Sequence, residues 1–172
     1  TFSDGEDSLE TMAEAARAAG LRYVIVADHA GHDGLRPETC DTLLAEVAQV
    51  NRRFGGEFRV IAGVEVGIQA DGTLEWPDEA LARMEFVIAS FHTDFGLPQA
   101  QMTARLLAAL RHPYVDMIGH PTGRLLGKRE SSALDMEAIL QAAADYGVAL
   151  EINAWPQRLD LSDMDVRRAT AL

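Results

Sequence analysis

Acidic and imidazole side chains recur in this chain at the carboxyl ends of predicted strands, about one strand-helix unit apart. They are Asp28 with His29, Glu65, His92 and His120, and a further polar residue, the amide Asn153, follows the next strand. The steps from Asp28 to Asn153 are 37, 27, 28 and 33 residues long, close to the ~30 residues that such a unit takes. Because successive parallel strands place their carboxyl ends on the same side, we expect these side chains to gather at one face.

Amphipathic helices alternate with these strands, which indicates an α/β fold with a parallel sheet covered by helices. Apolar runs at 21–27, 58–66, 86–91, 115–118 and 148–152 predict the strands. Helices are predicted from a cap at Asp7 or Ser8 to Gly20, from Pro37 to Gly55, over 79–83, from Pro98, from Asp135 to Gly147, and from Ser162 through Leu172. If such strands close into a barrel, the face at their carboxyl ends is where active sites lie.

Length and composition restrict the class of protein. With 172 residues, 48% of them hydrophobic, the chain can form one domain with a sizeable core, although it is short for a complete eight-unit barrel. Its net charge of -12 argues against a surface that coats nucleic acid. The single Cys40 excludes an internal disulfide and predicts a buried, inert thiol. No apolar stretch approaches a membrane span and no signal peptide is evident, so we expect a soluble, cytoplasmic protein.

The strand-end residues predict a metal site. Imidazole and carboxylate together suit zinc or manganese, and we interpret His29, Glu65, His92 and His120 as ligands. The alternatives are structural: a histidine that caps a carbonyl, or a Glu65 that pairs with an arginine. Asp4, in the loop before the first helix, is a fifth candidate ligand or simply a turn residue. Asp28 is expected to orient a ligating histidine and counts among the catalytic candidates.

A glycine-rich loop after His120 carries the cations Arg124, Lys128 and Arg129. These side chains, with the later Arg158, could bind phosphate, or they could be plain surface charges. We take Arg124 and Lys128 as catalytic candidates because their loop adjoins His120. Three further residues have weaker assignments: His32 could touch substrate, Asn153 could hydrogen-bond the site, and His112 is expected to be structural.

Five segments, taken in order, resemble one family. They are S-D-G-E at 3–6, A-D-H-A-G-H at 27–32, G-V-E-V at 63–66, S-F-H at 90–92 and G-H-P-T-G-R at 119–124, and together they resemble the PHP (polymerase and histidinol phosphatase) domain. The resemblance implies a distorted (β/α)7 TIM-like barrel and a phosphoesterase site for up to three manganese or zinc ions. It also implies that His29, Glu65, His92, His120 and Asp4 occupy metal-ligand positions.

The stretch G-H-P-T-G-R-L-L-G-K-R at 119–129 and the segment E-I-N-A-W-P-Q-R-L-D at 151–160 are more specific. They resemble the PHP domain at the C-terminal end of bacterial family X DNA polymerases, which implies a 3′-5′ exonuclease for DNA repair. The implied partners are a DNA 3′ end and a linked polymerase module, with no membrane. Two rivals remain: a stand-alone phosphomonoesterase similar to histidinol phosphatase, and a non-catalytic scaffold barrel.

The resemblance is incomplete at both ends. The family's first His-x-His pair would lie just before Thr1, and its last Asp-x-His pair would lie beyond Leu172. We therefore interpret residues 1–172 as a partial PHP phosphoesterase domain. In that case these residues alone would hold an incomplete metal cluster, and the sheet would have open edges.

Overall fold

The computed structural model describes residues 2–31 and 33–172. It contains a five-stranded parallel sheet in the order β1-β2-β3-β4-β5, which confirms the predicted α/β fold. The strands are β1 (Tyr23–His29), β2 (Arg59–Gly67), β3 (Phe86–Ser90), β4 (Met117–Gly119) and β5 (Ala149–Leu150). The helices are α1 (Leu9–Ala18), α2 (Cys40–Phe54), α3 (Asp78–Leu81), α4 (Gln99–Leu110), α5 (Met136–Tyr146) and α6 (Asp163–Ala169).

The chain divides into two compact units, and the first contains the residues as far as Val66 together with Trp76–Val87. Here β1 pairs with β2 in a register that sets His29 opposite Glu65. Helices α1 and α2 pack together, and α1 also packs on β1. The Asn51 side chain of α2 donates to the carbonyl of Val60 and accepts its N–H, both at 2.8 Å. This two-point contact fixes α2 against β2.

The second unit contains Gly67–Glu75 and Ile88–Leu172. Strand β3 pairs with β4, with Ser90 opposite Gly119, and β4 pairs with β5, with Ile118 opposite Leu150. Helix α5 packs against α4, α6 and β5. Each strand therefore ends on the same side as its neighbour, so the loops after β3, β4 and β5 start from one edge of the sheet.

Helix ends follow the capping residues in the sequence. The side chains of Ser8, Asp135 and Ser162 each accept an N–H of the first helical turn, at 3.1–3.2 Å. At the other end, Gly55 and Gly147 adopt the left-handed conformation that closes α2 and α5. These local signals explain why the predicted limits of α1, α2 and α5 hold within a few residues.

Strand limits differ more from the sequence prediction. The first strand was predicted over 21–27, but β1 runs from Tyr23 through His29, because backbone pairing with β2 continues as far as Glu65. Leu21 lies outside the strand and is exposed. The predicted strand over 148–152 is paired only at Ala149–Leu150, and the predicted last helix stops at Ala169 rather than continuing through Leu172.

Across the described ranges, no helix combines the length and the apolar character that crossing a membrane requires.

Candidate metal centre

In the first unit, His29 lies between two carboxylates. Its Nδ1 is 3.2 Å from Oδ2 of Asp4, and its Nε2 is 3.4 Å from Oε2 of Glu65. The register of β1 and β2 produces the second contact, because it makes His29 and Glu65 direct neighbours. Glu65 is 16% exposed, whereas Asp4 is 85% exposed. This arrangement brings an imidazole and two carboxylates together, which is a donor set that metal sites use.

Asp28 supports the segment that leads to Asp4. Its Oδ1 accepts the N–H groups of Phe2 and Ser3 and the hydroxyl of Ser3, at 2.8–2.9 Å. The same Ser3 hydroxyl accepts the N–H of His29 at 3.2 Å. Asp28 is buried, and its Oδ2 has no hydrogen-bond partner within the described part of the chain. In the structure Asp28 thus orders the backbone around His29.

The second unit brings His92 and His120 together, with ring centroids 6.0 Å apart. His120 directly follows β4 and has a φ of 29°, a left-handed value that residues other than glycine rarely adopt. Its N–H donates to Oε2 of Glu151 at 2.5 Å. The other oxygen of Glu151 accepts from the amide of Asn153 at 3.2 Å. Glu151 therefore holds the backbone of His120, a role that the sequence prediction missed.

Gly119 leaves room for this arrangement. A Cβ built on Gly119 would overlap the hydroxyl of Ser90 on β3 and would lie 3.7 Å from the carboxylate of Glu151. The residue before His120 therefore has to be glycine if β3 and β4 are to keep their spacing.

A hairpin after β2 carries a further carboxylate to the position of His92. The N–H of Gly67 donates to Oε2 of Glu75 at 3.2 Å. A Cβ built on Gly67 would lie 3.0 Å from that oxygen and 3.6 Å from Nδ1 of His92. Glu75 was missed because the sequence around it reads as a polar loop. The Asp71-Gly72 pair between the bridged residues Ile68 and Leu74 was the available hairpin signal.

Helix α4 contributes a buried cation to the same loops. Arg105 is 2% exposed, and its guanidinium donates to the carbonyls of Gln69 at 2.7 Å, Thr93 at 3.0 Å and Ile68. It also lies over the ring of Phe91, 4.6 Å from the centroid. Burial lowers the pKa of Arg105, while nearby Asp94 raises it. Arg105 thus joins the loops after β2 and β3, and helical periodicity alone gave no sign of it.

The loop after His120 is fastened to the segment after β5. Arg124 donates from Nε to the carbonyl of Arg158 at 3.2 Å and from Nη2 to the carbonyl of Leu159. Arg129 donates to the carbonyl of Gly123 at 2.7 Å and lies over Phe95, 3.5 Å from the ring centroid. Lys128 is exposed. In the structure Arg124 therefore fixes the loop after His120 to the segment after β5, and Lys128 is an exposed residue of that loop.

The sequence matches the model of the PHP domain over residues 1–154. That match includes all the predicted metal ligands. The chain belongs to the PHP domain family.

Two proteins of known name are similar in sequence to this chain. It is 39% identical over 98% of its length to the DNA polymerase/3′-5′ exonuclease PolX of Bacillus subtilis, of which it covers 30%. It is 33% identical over 86% of its length to a "probable phosphatase" of Caldicellulosiruptor bescii, of which it covers 59%. The chain thus spans less than two thirds of either relative.

A solved structure is similar to this PHP domain in fold. It is a crystal structure of hisK from Listeria monocytogenes, a protein whose name includes histidinol phosphatase. The TM-score between the two structures is 0.66. The match covers 96% of this chain and 85% of that one, at 13% sequence identity. At that identity the likeness concerns the fold alone, and it agrees with the expected distorted TIM-like barrel.

Both compact units of the PHP domain carry predicted ligands. Asp4, His29 and Glu65 are in contact within the first unit, and His92 and His120 adjoin each other within the second. Their ligation of a metal, and the catalytic roles of Asp28, Arg124 and Lys128, stay predictions. His32 lies outside the described residues.

His112 occupies the other end of β4. It follows α4 and precedes β4, and its ring lies 5.9 Å from that of Tyr114. A residue before β4 cannot share the sheet edge that carries His120, which agrees with the structural role expected for His112.

Proposed function

We propose that this PHP domain is a metal-dependent phosphoesterase that trims the 3′ end of DNA. The observation that carries the proposal is the placement of His29 between Asp4 and Glu65. Imidazole with carboxylates is a donor set that manganese and zinc favour. The identity with PolX of Bacillus subtilis, whose name includes a 3′-5′ exonuclease, supports DNA as the substrate.

In this proposal five residues hold the metal, which is manganese or zinc, with up to three ions in an intact domain. They are Asp4, His29, Glu65, His92 and His120. Within each unit, β1 with β2 and β3 with β4 are parallel neighbours, and residues at the carboxyl ends of parallel neighbours share one edge. A bound dication supplies positive charge and Lewis acidity to the phosphate ester.

The chain's own side chains then position and neutralise the substrate. Lys128 is exposed on the loop after His120 and is the cation that we assign to the phosphate. Arg124 holds that loop through two backbone carbonyls, and its charge adds to that of Lys128. Asp28 fixes the segment that carries Asp4. We further propose that a linked polymerase module supplies most of the DNA grip, since the chain carries a net charge of -12.

A phosphomonoesterase is the second candidate. The relative from Caldicellulosiruptor bescii is named a probable phosphatase and aligns with 86% of this chain. A small phosphorylated metabolite would need the same donor set but no extended contact with a polynucleotide. The two candidates therefore differ in substrate rather than in chemistry.

The test compares two substrates under one set of metal conditions. The protein is assayed at its full natural length with manganese, with zinc and with a chelator, on 3′-labelled DNA and on histidinol phosphate. We expect shortening of DNA that depends on metal. Hydrolysis of histidinol phosphate alone would favour the second candidate, and no hydrolysis of either would favour a scaffold.

Substitution locates the activity at the site. His29→Ala should abolish DNA shortening and weaken manganese binding in calorimetry, because it removes the imidazole between the two carboxylates. His112→Ala is the matched control and should change neither. Full activity in His29→Ala would overturn the assignment.

A further inference from the structure

Trp155 is an exposed tryptophan in the segment after β5. It is 65% exposed, whereas Trp76, the other tryptophan of the chain, is 5% exposed. Two leucines nearby in the fold, Leu126 and Leu159, are also exposed, at 42% and 57%. A large aromatic side chain gains free energy when it is covered, so its exposure beside other apolar groups indicates a contact surface.

Hydrogen bonds fix the segment that presents Trp155. Its N–H donates to Oδ1 of Asn153 at 3.0 Å, and its carbonyl accepts the N–H of Arg158 at 2.8 Å. Asn153 and Asp160 pair across the base of the segment, where the N–H of Asn153 donates at 2.5 Å. The indole is therefore carried on an ordered turn, which lowers the entropic cost of binding.

The turn is joined to the cationic loop after His120. The N–H of Leu126 donates to the carbonyl of Gln157 at 2.6 Å. The carboxylate of Asp160 is buried and accepts the N–H of Thr122 at 3.0 and 3.2 Å. Together with the two bonds of Arg124, these contacts make one surface from residues 124–129 and 155–159, called the Trp155 surface below.

The Trp155 surface carries cations without neutralising acids. Arg124, Lys128, Arg129 and Arg158 make no ion pair with a carboxylate anywhere in residues 2–31 and 33–172. Elsewhere Arg53, Arg59, Arg83 and Arg168 are each paired with an Asp or Glu. Nη1 of Arg158 is buried and has no hydrogen-bond partner among the described residues. An uncompensated cation cluster in a chain of net charge -12 indicates an anionic ligand.

The arginines also act on each other. The pKa of Arg129 is lowered by burial and by the neighbouring charge of Arg158. An anion placed between these side chains would relieve that repulsion.

A chain of hydrogen bonds connects this surface with a candidate metal ligand. The N–H of His120 donates to Glu151, Glu151 accepts from Asn153, and Asn153 accepts the N–H of Trp155. Three hydrogen bonds thus separate the backbone of His120 from that of Trp155. A ligand seated on Trp155 would thus contact the same unit that carries His92 and His120, two of the candidate metal ligands.

We propose that the Trp155 surface binds the single-stranded 3′-terminal segment of a polynucleotide, with a base stacked on Trp155 and backbone phosphates bound by Lys128 and Arg158. The proposal rests on the proposed function, whose substrate it specifies as a strand end with an unpaired base. Aromatic rings next to cations are the means by which proteins bind single strands without reading sequence. An acidic protein partner would use the charges but would not require a stacked base.

Intrinsic fluorescence gives a direct test, because Trp155 is the exposed one of two tryptophans. In a Trp76→Phe background, the protein is titrated with single-stranded DNA of about ten nucleotides in the presence of a chelator, so that binding is measured without cleavage. We expect quenching of Trp155. An abasic sugar-phosphate oligomer of equal length should bind more weakly without quenching, and oligoglutamate should do neither.

Substitutions at two positions, Trp155 and Lys128, separate stacking from charge, with binding measured by the anisotropy of labelled DNA. Trp155→Ala should weaken DNA binding by roughly tenfold or more, and Trp155→Phe should restore most of it. Lys128→Ala should lower the slope of log affinity against log salt by about 0.7, the value for one phosphate contact on a single strand. Tyr146→Ala, which removes another exposed aromatic side chain, is the matched control and should change nothing.

The outcomes distinguish this proposal from the proposed function. Quenching and binding without any DNA cleavage would uphold the Trp155 surface and reject the exonuclease. Metal-dependent DNA cleavage that is unaffected by Trp155→Ala, with no quenching, would uphold the exonuclease and reject the Trp155 surface. Equal quenching by oligoglutamate would overturn the proposal in favour of an acidic protein partner.

Discussion

His120 combines a buried imidazole with a left-handed backbone, and Glu151 is the residue that holds it there. A φ of 29° costs free energy for a residue with a Cβ, on the order of 1–3 kcal/mol. The charged hydrogen bond from the His120 N–H to Glu151 offsets part of that cost. The position of this candidate ligand therefore depends on a carboxylate that would not itself bind metal.

Removal of the Glu151 carboxylate should lower the stability of the folded protein. Glu151→Ala leaves the N–H of His120 without its acceptor and should lower the free energy of unfolding by about 1–3 kcal/mol. Glu151→Gln keeps an oxygen that can accept and should lose less. Urea denaturation measures both. Glu130→Ala, which removes an exposed carboxylate, should stay within about 0.5 kcal/mol; an equal loss in that variant would contradict the assignment.

Cys40 carries the single thiol of the sequence, and burial protects this thiol from reagents in solvent. Burial raises the pKa of its thiol, and its side chain is fully enclosed. We expect an aromatic disulfide reagent to label the native protein slowly near neutral pH and to label it at once in denaturant. Rapid labelling without denaturant would contradict the buried position.

The sign of the pH effect follows from the raised pKa of Cys40. The folded state holds the thiol proton more tightly than the unfolded state does. Its contribution to stability is therefore present below the ordinary thiol pKa and is lost as the pH rises through the raised, folded-state value.

The limits of the helices could be predicted from the sequence better than the limits of the strands. A helix cap depends on residues close in the sequence, whereas strand pairing depends on a distant partner strand. Ser8 and Asp135 mark helix starts in the sequence, and both act as caps in the structure. The end of β1 depends instead on Glu65, a partner 36 residues away from His29. Glu75, Arg105 and Glu151 escaped prediction for the same reason, since each acts through contacts that chain spacing does not reveal.

Arg105 tests whether α4 fixes the loops that surround His92. Arg105→Met fills similar space but removes three donors from buried carbonyl groups, so we expect a loss of about 3 kcal/mol in the free energy of unfolding. Hydrogen exchange should also quicken in residues 68–75. Both are measured on the same protein, by urea denaturation and by mass spectrometry.

Arg111 provides the control for that experiment. It follows the last residue of α4 and is exposed. Arg111→Met removes the same charge and should change stability by no more than about 0.5 kcal/mol. If Arg105→Met were equally mild, the loops after β2 and β3 would have to be held by other contacts.

The whole chain contains 27 acidic and 15 basic residues, so a bound cation should raise the stability of the folded protein. Negative charges repel one another in the folded state, and two candidate ligands, Asp4 and Glu65, place carboxylates on either side of His29. A dication that binds there stabilises the folded protein by linkage, independently of any turnover.

Manganese should therefore raise the melting temperature. At a concentration about 100 times its dissociation constant, the ion should add about 2.7 kcal/mol, which corresponds to several degrees. Protons compete for imidazole and carboxylate groups, so the increase should shrink as the pH is lowered. Differential scanning calorimetry measures the shift.

The control for the manganese experiment is the ligand variant. His29→Ala should lose most of the increase, while His112→Ala should keep it. A shift of equal size in His29→Ala would assign the effect to general screening of the acidic surface.

Gly119 sets a limit on how this protein can be redesigned. Trp155 and Lys128 are exposed on loops that follow strands, so substrate preference can be altered by substitution at these two positions. The residue ahead of His120 offers no such freedom, because even a methyl group would strike the hydroxyl of Ser90. A library built to change specificity should therefore vary the exposed positions Trp155 and Lys128 and keep glycine at position 119.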